Sequence, residues 1–139
     1  MDKKWENVPF NNIDYSEIQR LRQVFEDPSE NTWRRSISAQ YYHWKLASNY
    51  HQTGIIHVAK SEQEIVGMVS ITPKSAIIQN RRVNAAELGD CFINPKKNQR
   101  GMFASLLKST KDSTLEDGVQ FLYGTPNSIA LPGERKAGY

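Results

Sequence analysis

Apolar residues recur every three or four positions from residue 14 onward, which is the period of an amphipathic α-helix. Ser16 and Gln19 have the spacing of a capping box, which predicts the start of this helix. The helix is predicted to end at Asp27, because Pro28 disfavours helical geometry in the residue that precedes it. Its buried face is expected to consist of Ile18, Leu21, Val24 and Phe25.

A second helix is predicted from about residue 31 to Tyr50. Its apolar positions are mostly aromatic and are spaced so that they form one stripe: Trp33, Ile37, Tyr41 and Trp44. We expect this stripe to pack in the core, and the alternative is a role facing a substrate. Tyr42 lies off the stripe and is a candidate for such a role.

The period changes at Gly54, where short apolar runs separated by polar turns indicate β-strands. Polar residues predict turns at 61–64 and 79–82, and Pro95 ends the last run. The predicted strands, all antiparallel, span 55–59, 65–71 and 88–93.

A strand, a turn, a helix and a strand follow one another between residues 87 and 123. The helix is predicted from Gly101 to Asp117, with Gly118 at the position that favours a left-handed cap. The order is that of a βαβ unit, so the strands 87–93 and 119–123 are expected to lie parallel in a mixed sheet.

The composition is that of a globular protein with one core. The chain has 139 residues, of which 38% are hydrophobic and 24% are charged. The net charge of +3 is spread without a dense basic stripe, so we expect no nucleic-acid partner, although the excess suits an anionic ligand.

Cysteine usage and hydropathy indicate the compartment. A single cysteine, Cys91, excludes an intramolecular disulfide and favours a reducing environment. No Cys/His spacing resembles a zinc site, and we expect no metal. The sequence contains no signal-like apolar segment and no run long enough to span a membrane. We therefore expect a cytoplasmic protein without a membrane partner.

The segment 94–103 is the one most suggestive of chemistry. It is a tight basic turn with a single glycine, Gly101, and it leads into a helix N-terminus. Unpaired N–H groups and the positive end of the helix dipole bind phosphate oxygens at such a place. The alternative is a solvated turn whose basic side chains, Lys96, Lys97 and Arg100, lie in water, or a small nucleic-acid-binding patch.

Several segments together resemble the GNAT superfamily of acyl-CoA-dependent N-acyltransferases. They are EIVG at 64–67, LGDCFINP at 88–95, NQRGMFASLL at 98–107, YGTPN at 123–127 and KAGY at 136–139. The resemblance covers about residues 16–139. It implies an α/β fold of the α+β type, with a mixed, mostly antiparallel sheet flanked by helices and a splayed acyl-CoA cleft.

The resemblance also implies the domain organisation and the reaction. We expect residues 1–139 to form one domain that lacks the C-terminal strands of the family, and a partner chain or a second copy could complete the sheet. The implied reaction transfers an acyl group from an acyl-CoA, by default acetyl-CoA, to a primary amine of a small molecule or peptide. The alternative is a non-catalytic acyl-CoA-binding module or a fragment of a larger acyltransferase.

By resemblance, coenzyme A would contact backbone groups of the basic turn, the end of the central strand and one asparagine. The pyrophosphate would lie on N–H groups of the turn and the helix start, and the pantetheine arm would pair with Phe92 and Asn94 like an extra strand. A backbone N–H near Phe92 or Ile93 would polarise the thioester carbonyl. The implied cofactor-binding residues are Phe92, Ile93, Asn94, Gln99, Arg100, Gly101, Met102, Phe103, Ala104 and Asn127. For Asn127, capping of a turn or helix is an equal alternative.

For the catalytic base, the candidates are Asp90 and Glu87. Their odd separation predicts that they point to opposite faces of the strand, and we favour Asp90 because it lies nearer the splayed end. Many members of the family have a tyrosine as general acid at the position of Glu134, so Tyr123 and Tyr139 are the remaining phenols. Cys91 is expected to be a small buried hydrophobe.

Overall fold

The computed structural model describes residues 5–10, 14–23 and 38–139. The strands are β1 (Glu6–Pro9), β2 (Ile55–Ser61), β3 (Glu64–Ile78), β4 (Arg81–Ile93) and β5 (Phe121–Gly124). The helices are α1 (Tyr15–Gln23), α2 (Ala39–Tyr42) with a π-helical turn (His43–Ala47) after it, α3 (Met102–Glu116) and α4 (Leu131–Ala137).

The described strands form one sheet in the order β1-β2-β3-β4-β5. β1 to β4 pair antiparallel with their neighbours, and β5 pairs parallel with β4 after the crossover through α3. The predicted βαβ unit is therefore confirmed, and Gly118 has the expected left-handed conformation, with φ +90°. The polar segment near the N-terminus contributes the edge strand β1.

Two tight turns connect the central strands. Glu62 and Gln63 form one, Gln79 and Asn80 form the other, and all four have positive φ, as type I′ hairpin turns require. β3 has 15 residues and β4 has 13, so both are much longer than predicted. The predicted turn at 79–82 is correspondingly too long, because its last two residues already pair with Ile78 and Ile77.

The outer half of the β3–β4 hairpin explains why its length was missed. β3 pairs with β2 only as far as Ile71, so none of the described strands pairs with β3 on that side at Pro73. Proline is tolerated there because no ladder hydrogen bond is lost. The Asn49 side chain donates to the carbonyl of Pro73 at 3.0 Å. The tip of the hairpin lies outside the core, with Ile77 73% exposed. Apolar and polar side chains therefore do not alternate there as they do in a half-buried strand.

The first predicted helix is present, but its cap differs. Asp14, rather than Ser16, caps it: the Asp14 carboxylate accepts from the Ser16 N–H at 2.9 Å. Ile18 and Leu21 are buried as expected. The predicted end at Asp27, together with the apolar positions 24 and 25, lies outside the described residues.

The predicted buried stripe of the second helix is wrong, because a different face of the helix is buried. Tyr41 and Trp44 are exposed, at 38% and 67%, whereas Tyr42 and Leu46 are fully buried. Tyr42 is thus a core residue and not an exposed candidate for substrate contact. The π-helical turn after Tyr42 adds residues to the turn, which shifts the phase away from regular α-helical spacing. Trp33 and Ile37 lie outside the described residues.

Two apolar clusters pack on the two faces of the sheet. One contains α3 residues such as Leu106 and Leu107, with Leu88 and Ile93 from β4. The other contains Ile18 and Leu46 from the N-terminal helices, with Phe92 from β4. β4 therefore has side chains in both clusters and connects the two halves of the core.

In the part of the chain that the structure describes, no helix is both long and apolar enough to cross a membrane.

Candidate active site

β4 and β5 separate at one end of their parallel pairing. Their pairs run from Ala85–Phe121 to Leu88–Gly124, and β4 then continues to Ile93 without β5 beside it. The N-terminus of α3 follows after the connecting turn. The expected splay between the two strands is therefore present, and it opens toward the start of α3.

Near the end of β4, the backbone N–H and C=O groups of successive residues point alternately toward β3 and toward this gap. The Asn94 N–H donates to the Val66 carbonyl on β3 at 2.7 Å. Because orientation alternates along an antiparallel strand, the groups of Phe92 also face β3, and those of Ile93 face away from it. The expectation that Phe92 and Asn94 pair with a pantetheine arm is therefore wrong, and Ile93 is the residue with groups directed at the gap.

The basic turn is held in shape by Asn94. Its side-chain Oδ1 accepts from the Lys96 N–H at 3.0 Å, and its carbonyl accepts from the Lys97 N–H at 3.0 Å. Asn94 is buried, so it forms the base of the turn. The Lys97 ammonium pairs with Glu64 on β3 at 3.3 Å, while Lys96 and Arg100 are exposed.

The start of α3 has the geometry of an anion cradle. Gly101 precedes the helix with φ +84° and has no side chain with which to cap it. The Met102 N–H is already donated to the Gln99 carbonyl at 3.0 Å, so Met102 is not available as an anion donor, contrary to expectation. Phe103 and Ala104 come next in the first turn, where N–H groups have no partner within the helix. Their N–H groups and the helix dipole can hold a phosphate.

Asp90 lies at a β-bulge. Two steps on β3, from Met68 to Ser70, correspond to three steps on β4, from Phe92 to Gly89, so β4 contains one extra residue. Asp90 has φ +47° at this irregularity. Its Oδ2 atom accepts from the Lys45 ammonium at 2.6 Å and from the Ser70 hydroxyl at 2.9 Å. The predicted base is thus part of a largely buried ion pair with the π-helical turn.

The bulge also overturns the predicted orientation of the two acidic candidates. Ala86 and Leu88 pack in the α3 cluster, so Glu87 points to the opposite face. The extra residue resets the alternation, so Asp90 shares that face with Glu87. Burial lowers the pKa of the Lys45 ammonium, but the charges of both carboxylates and the hydrogen bond to Asp90 raise it. The pKa of Lys45 is therefore above its usual value. The Glu87 side chain is more exposed than that of Asp90, and its Oε2 atom lies 3.6 Å from Nζ of Lys74.

Glu134 stands at the position where many members of the family have a tyrosine, and the sequence did not predict its burial. It is on α4 and is only 6% exposed, which is rare for a glutamate. A methyl group at Gly124, where β4 and β5 part, would stand 3.4 Å from Glu134 Oε2. Burial raises the pKa of this carboxyl group. The pattern of the sequence gave no signal for its burial, because α4 is a short helix with Pro132 and Gly133 in it.

The remaining candidates have structural roles. The Oδ1 atom of Asn127 accepts from the N–H groups of Ile129 and Ala130 at 3.1 and 2.9 Å, as the capping alternative predicted. The Tyr139 hydroxyl donates to the Leu107 carbonyl at 3.1 Å. Burial raises the pKa of the Cys91 thiol to about 12. Among the described residues, no three Cys, His, Asp or Glu side chains are grouped to hold a metal ion.

Comparisons with known proteins agree with this geometry. The sequence model of one family, described as the acetyltransferase (GNAT) domain, matches residues 14–139. A search of curated proteins gives no match. Many solved structures share the fold at low sequence identity, and three of them illustrate the kinds of acetyltransferase among them.

One is a predicted acetyltransferase from Clostridium acetobutylicum with acetyl-CoA, with 14% identity, a TM-score of 0.71, and coverage of 97% of this chain and 89% of that one. Another is glucosamine-6-phosphate N-acetyltransferase from Arabidopsis thaliana, with 12% identity, a TM-score of 0.67, and coverage of 99% and 92%. The third is an aminoglycoside acetyltransferase from an uncultured soil metagenomic sample, with 18% identity, a TM-score of 0.73, and coverage of 99% and 90%.

The splayed strands, the uncapped start of α3 and the family match over residues 14–139 lead to one conclusion. The chain belongs to the GNAT acetyltransferase family.

Proposed function

We propose that this protein transfers an acyl group, by default acetyl, from an acyl-CoA to a primary amine by direct attack of the amine nitrogen. The main support for the proposal is that one short turn connects two features of the fold. The first is the gap between β4 and β5 beyond Leu88–Gly124, and the second is the uncapped N-terminus of α3 at Gly101. An acyl-CoA has an anionic pyrophosphate and an extended arm that ends in a thioester, so it matches both features.

In this proposal the pyrophosphate lies on the first turn of α3. The N–H groups of Gln99, Arg100, Gly101, Phe103 and Ala104 are the proposed donors, with the side chains of Lys96 and Arg100 nearby. Such charge-assisted hydrogen bonds are stronger than neutral ones. The pantetheine arm would enter the gap beside β4, where the backbone of Ile93 can pair with it.

The thioester carbonyl needs a donor that stabilises negative charge as the amine attacks. We assign this role to the Ile93 N–H, which faces the gap. Asp90 is the proposed acceptor of the proton that the nitrogen loses, with Glu87 on the same face. Oδ2 of Asp90 is bound by Lys45 and Ser70, and Oδ1 has no partner among the described residues.

One observation favours a second function, a non-catalytic acyl-CoA-binding module. The Lys45 ammonium lies 2.6 Å from Asp90, so the predicted base is already neutralised by a cation. In that case the protein would bind an acyl-CoA without turning it over.

A thiol-release assay separates the two functions. We expect acetyl-CoA and at least one amine from a panel of amino sugars, aminoglycosides, alkylamines and lysine peptides to release coenzyme A with saturation in both substrates. A tertiary amine of matched skeleton is the control, because it has no N–H to lose and cannot yield a stable amide. Calorimetric binding of acetyl-CoA without release for any amine would establish the binding module instead.

A further inference from the structure

A groove lies between Trp5–Asn7, at the start of β1, and the flank of α3 formed by residues 105–116. Its volume is about 570 Å³. Ligand pockets typically have volumes of about 300–1,000 Å³. In the sheet, β2 and β3 lie between β1 and β4. The groove is therefore separate from the gap beside β4 that is proposed to hold the acyl-CoA.

Several polar side chains of the groove have no hydrogen-bond partner among the described residues. Trp5 Nε1, a donor, and Asn7 Oδ1, an acceptor, are both buried, while the amide nitrogen of Asn7 donates to the Ser105 hydroxyl at 2.9 Å. The hydroxyl groups of Ser109 and Ser113, one turn apart on α3, are also unpartnered. Buried polar atoms normally have a partner. A donor and an acceptor without one, in the wall of a groove, indicate that a ligand supplies both.

The backbone of β1 adds further free groups on the same side. The Phe10 N–H donates to the Ile56 carbonyl on β2 at 2.8 Å. Because orientation alternates along an antiparallel strand, the N–H and C=O of Asn7 point away from β2. β1 is an edge of the sheet, so no described strand pairs with Asn7 on that side. Pro9 has no N–H to donate there, which limits the free edge to a few residues.

The uncompensated charge at the groove is negative. Glu6 and Glu116 are exposed, and neither has an ion-pair partner in the part of the chain that the structure describes. Lys108 is the cation of the groove, and its ammonium already pairs with Asp112 at 2.6 Å. The groove thus favours a cationic ligand, although the chain as a whole has a net charge of +3.

We propose that this groove binds an extended peptide with lysine or arginine side chains, which adds to the outer edge of β1 as a further strand. The peptide backbone pairs with the free N–H and C=O of Asn7. Successive side chains of a strand point to opposite faces, so every second one lies against Ser109 and Ser113 on α3. The basic side chains reach the carboxylates of Glu6 and Glu116.

The probe is the peptide Lys-Thr-Lys-Thr-Lys, acetylated and amidated at its ends, which is titrated into the full chain and followed by amide NMR. We expect saturable shifts at the N–H groups of Glu6, Asn7, Ser109 and Ser113. The indole N–H of Trp5, identified by its loss in Trp5→Phe, should shift with them.

Matched peptides separate the contribution of charge from that of strand pairing. The acidic peptide Glu-Thr-Glu-Thr-Glu should bind more weakly by about tenfold, because its charges repel those of the groove. Two further lysine peptides carry methyl groups on alternate backbone nitrogens, one in each register. One of them should bind about tenfold more weakly, because its methyl groups block the hydrogen bonds to β1.

Variants of the protein place the peptide. Glu116→Gln should weaken binding by about threefold, as is typical of one exposed ion pair. Glu62→Gln, an exposed glutamate in the turn between β2 and β3, is the matched control and should bind like the wild type. Ser109→Arg fills the groove with a cation and should abolish binding. The melting temperature of each variant shows that it is folded.

The results that would overturn the proposal do not depend on acyl transfer. Shifts confined to the start of α3 or the end of β4 would place the peptide elsewhere and overturn it, as would an absence of shifts at millimolar peptide. Equal affinity for the acidic peptide, or for both methylated peptides, would also overturn it, because the groove would then not recognise a basic strand.

Discussion

Gly101→Glu is expected to abolish measurable binding of acetyl-CoA at micromolar concentration. Gly101 has φ +84° and open space around its α-carbon, so a larger side chain fits but places a carboxylate at the cradle. The substitution would remove about two charge-assisted hydrogen bonds at about 2 kcal/mol each, which corresponds to a roughly thousandfold loss of affinity. Isothermal titration calorimetry with acetyl-CoA measures the loss.

Gly118→Glu is a well-matched control for this variant. Gly118 has φ +90°, also has open space around it, and lies at the opposite end of the same helix. The backbone strain of a non-glycine residue is therefore similar in both variants, while only Gly101→Glu puts negative charge at the cradle. We expect Gly118→Glu to bind acetyl-CoA like the wild type. Equal affinity of the wild type, Gly101→Glu and Gly118→Glu for acetyl-CoA would show that the basic turn is not part of the binding site.

Lys45→Met is expected to lower the free energy of unfolding by about 3 kcal/mol. The Lys45 and Asp90 side chains are only 17% and 12% exposed and lie 2.6 Å apart, so removing the cation leaves a largely buried carboxylate with the Ser70 hydroxyl alone. Urea denaturation at neutral pH measures the change. The double variant Lys45→Met/Asp90→Asn should recover most of the loss, because it removes the unpaired charge as well.

Lys74→Met provides the comparison for an exposed pair. Lys74 and Glu87 are 3.6 Å apart and are 37% and 32% exposed, so solvent screens their attraction. We expect a loss below about 1 kcal/mol for this variant. A similar loss in the Lys45 and Lys74 variants would mean that the Lys45–Asp90 pair does not hold the π-helical turn against the sheet.

The parts of the fold that depend on local pattern could be predicted from the sequence. The period of α3, the glycine that follows it and the short apolar run of β5 determine the βαβ unit, because each is a property of adjacent residues. The basic turn before Gly101 could be identified for the same reason. The family resemblance then supplied the splay of the strands, which no local pattern encodes.

The parts that were missed depend on contacts between distant segments. The bulge at Asp90 arises where β3 and β4 fall out of register, and its ion pair joins residues 45 positions apart. The phase of the second helix is set by a π-helical turn, which shifts burial from Trp44 to Leu46. The burial of Glu134 depends on how α4 packs over Gly124, and its short sequence shows no amphipathic period.

The most direct test of the central claim, that an acyl-CoA binds between the start of α3 and the open part of β4, is a titration with coenzyme A followed by amide NMR. We predict that the largest shifts fall on the N–H groups of Ile93, Gln99, Arg100, Gly101, Phe103 and Ala104, with Asp117 and Gly118 unchanged. Shifts confined to other parts of the chain, or no shifts at saturating coenzyme A, would contradict it.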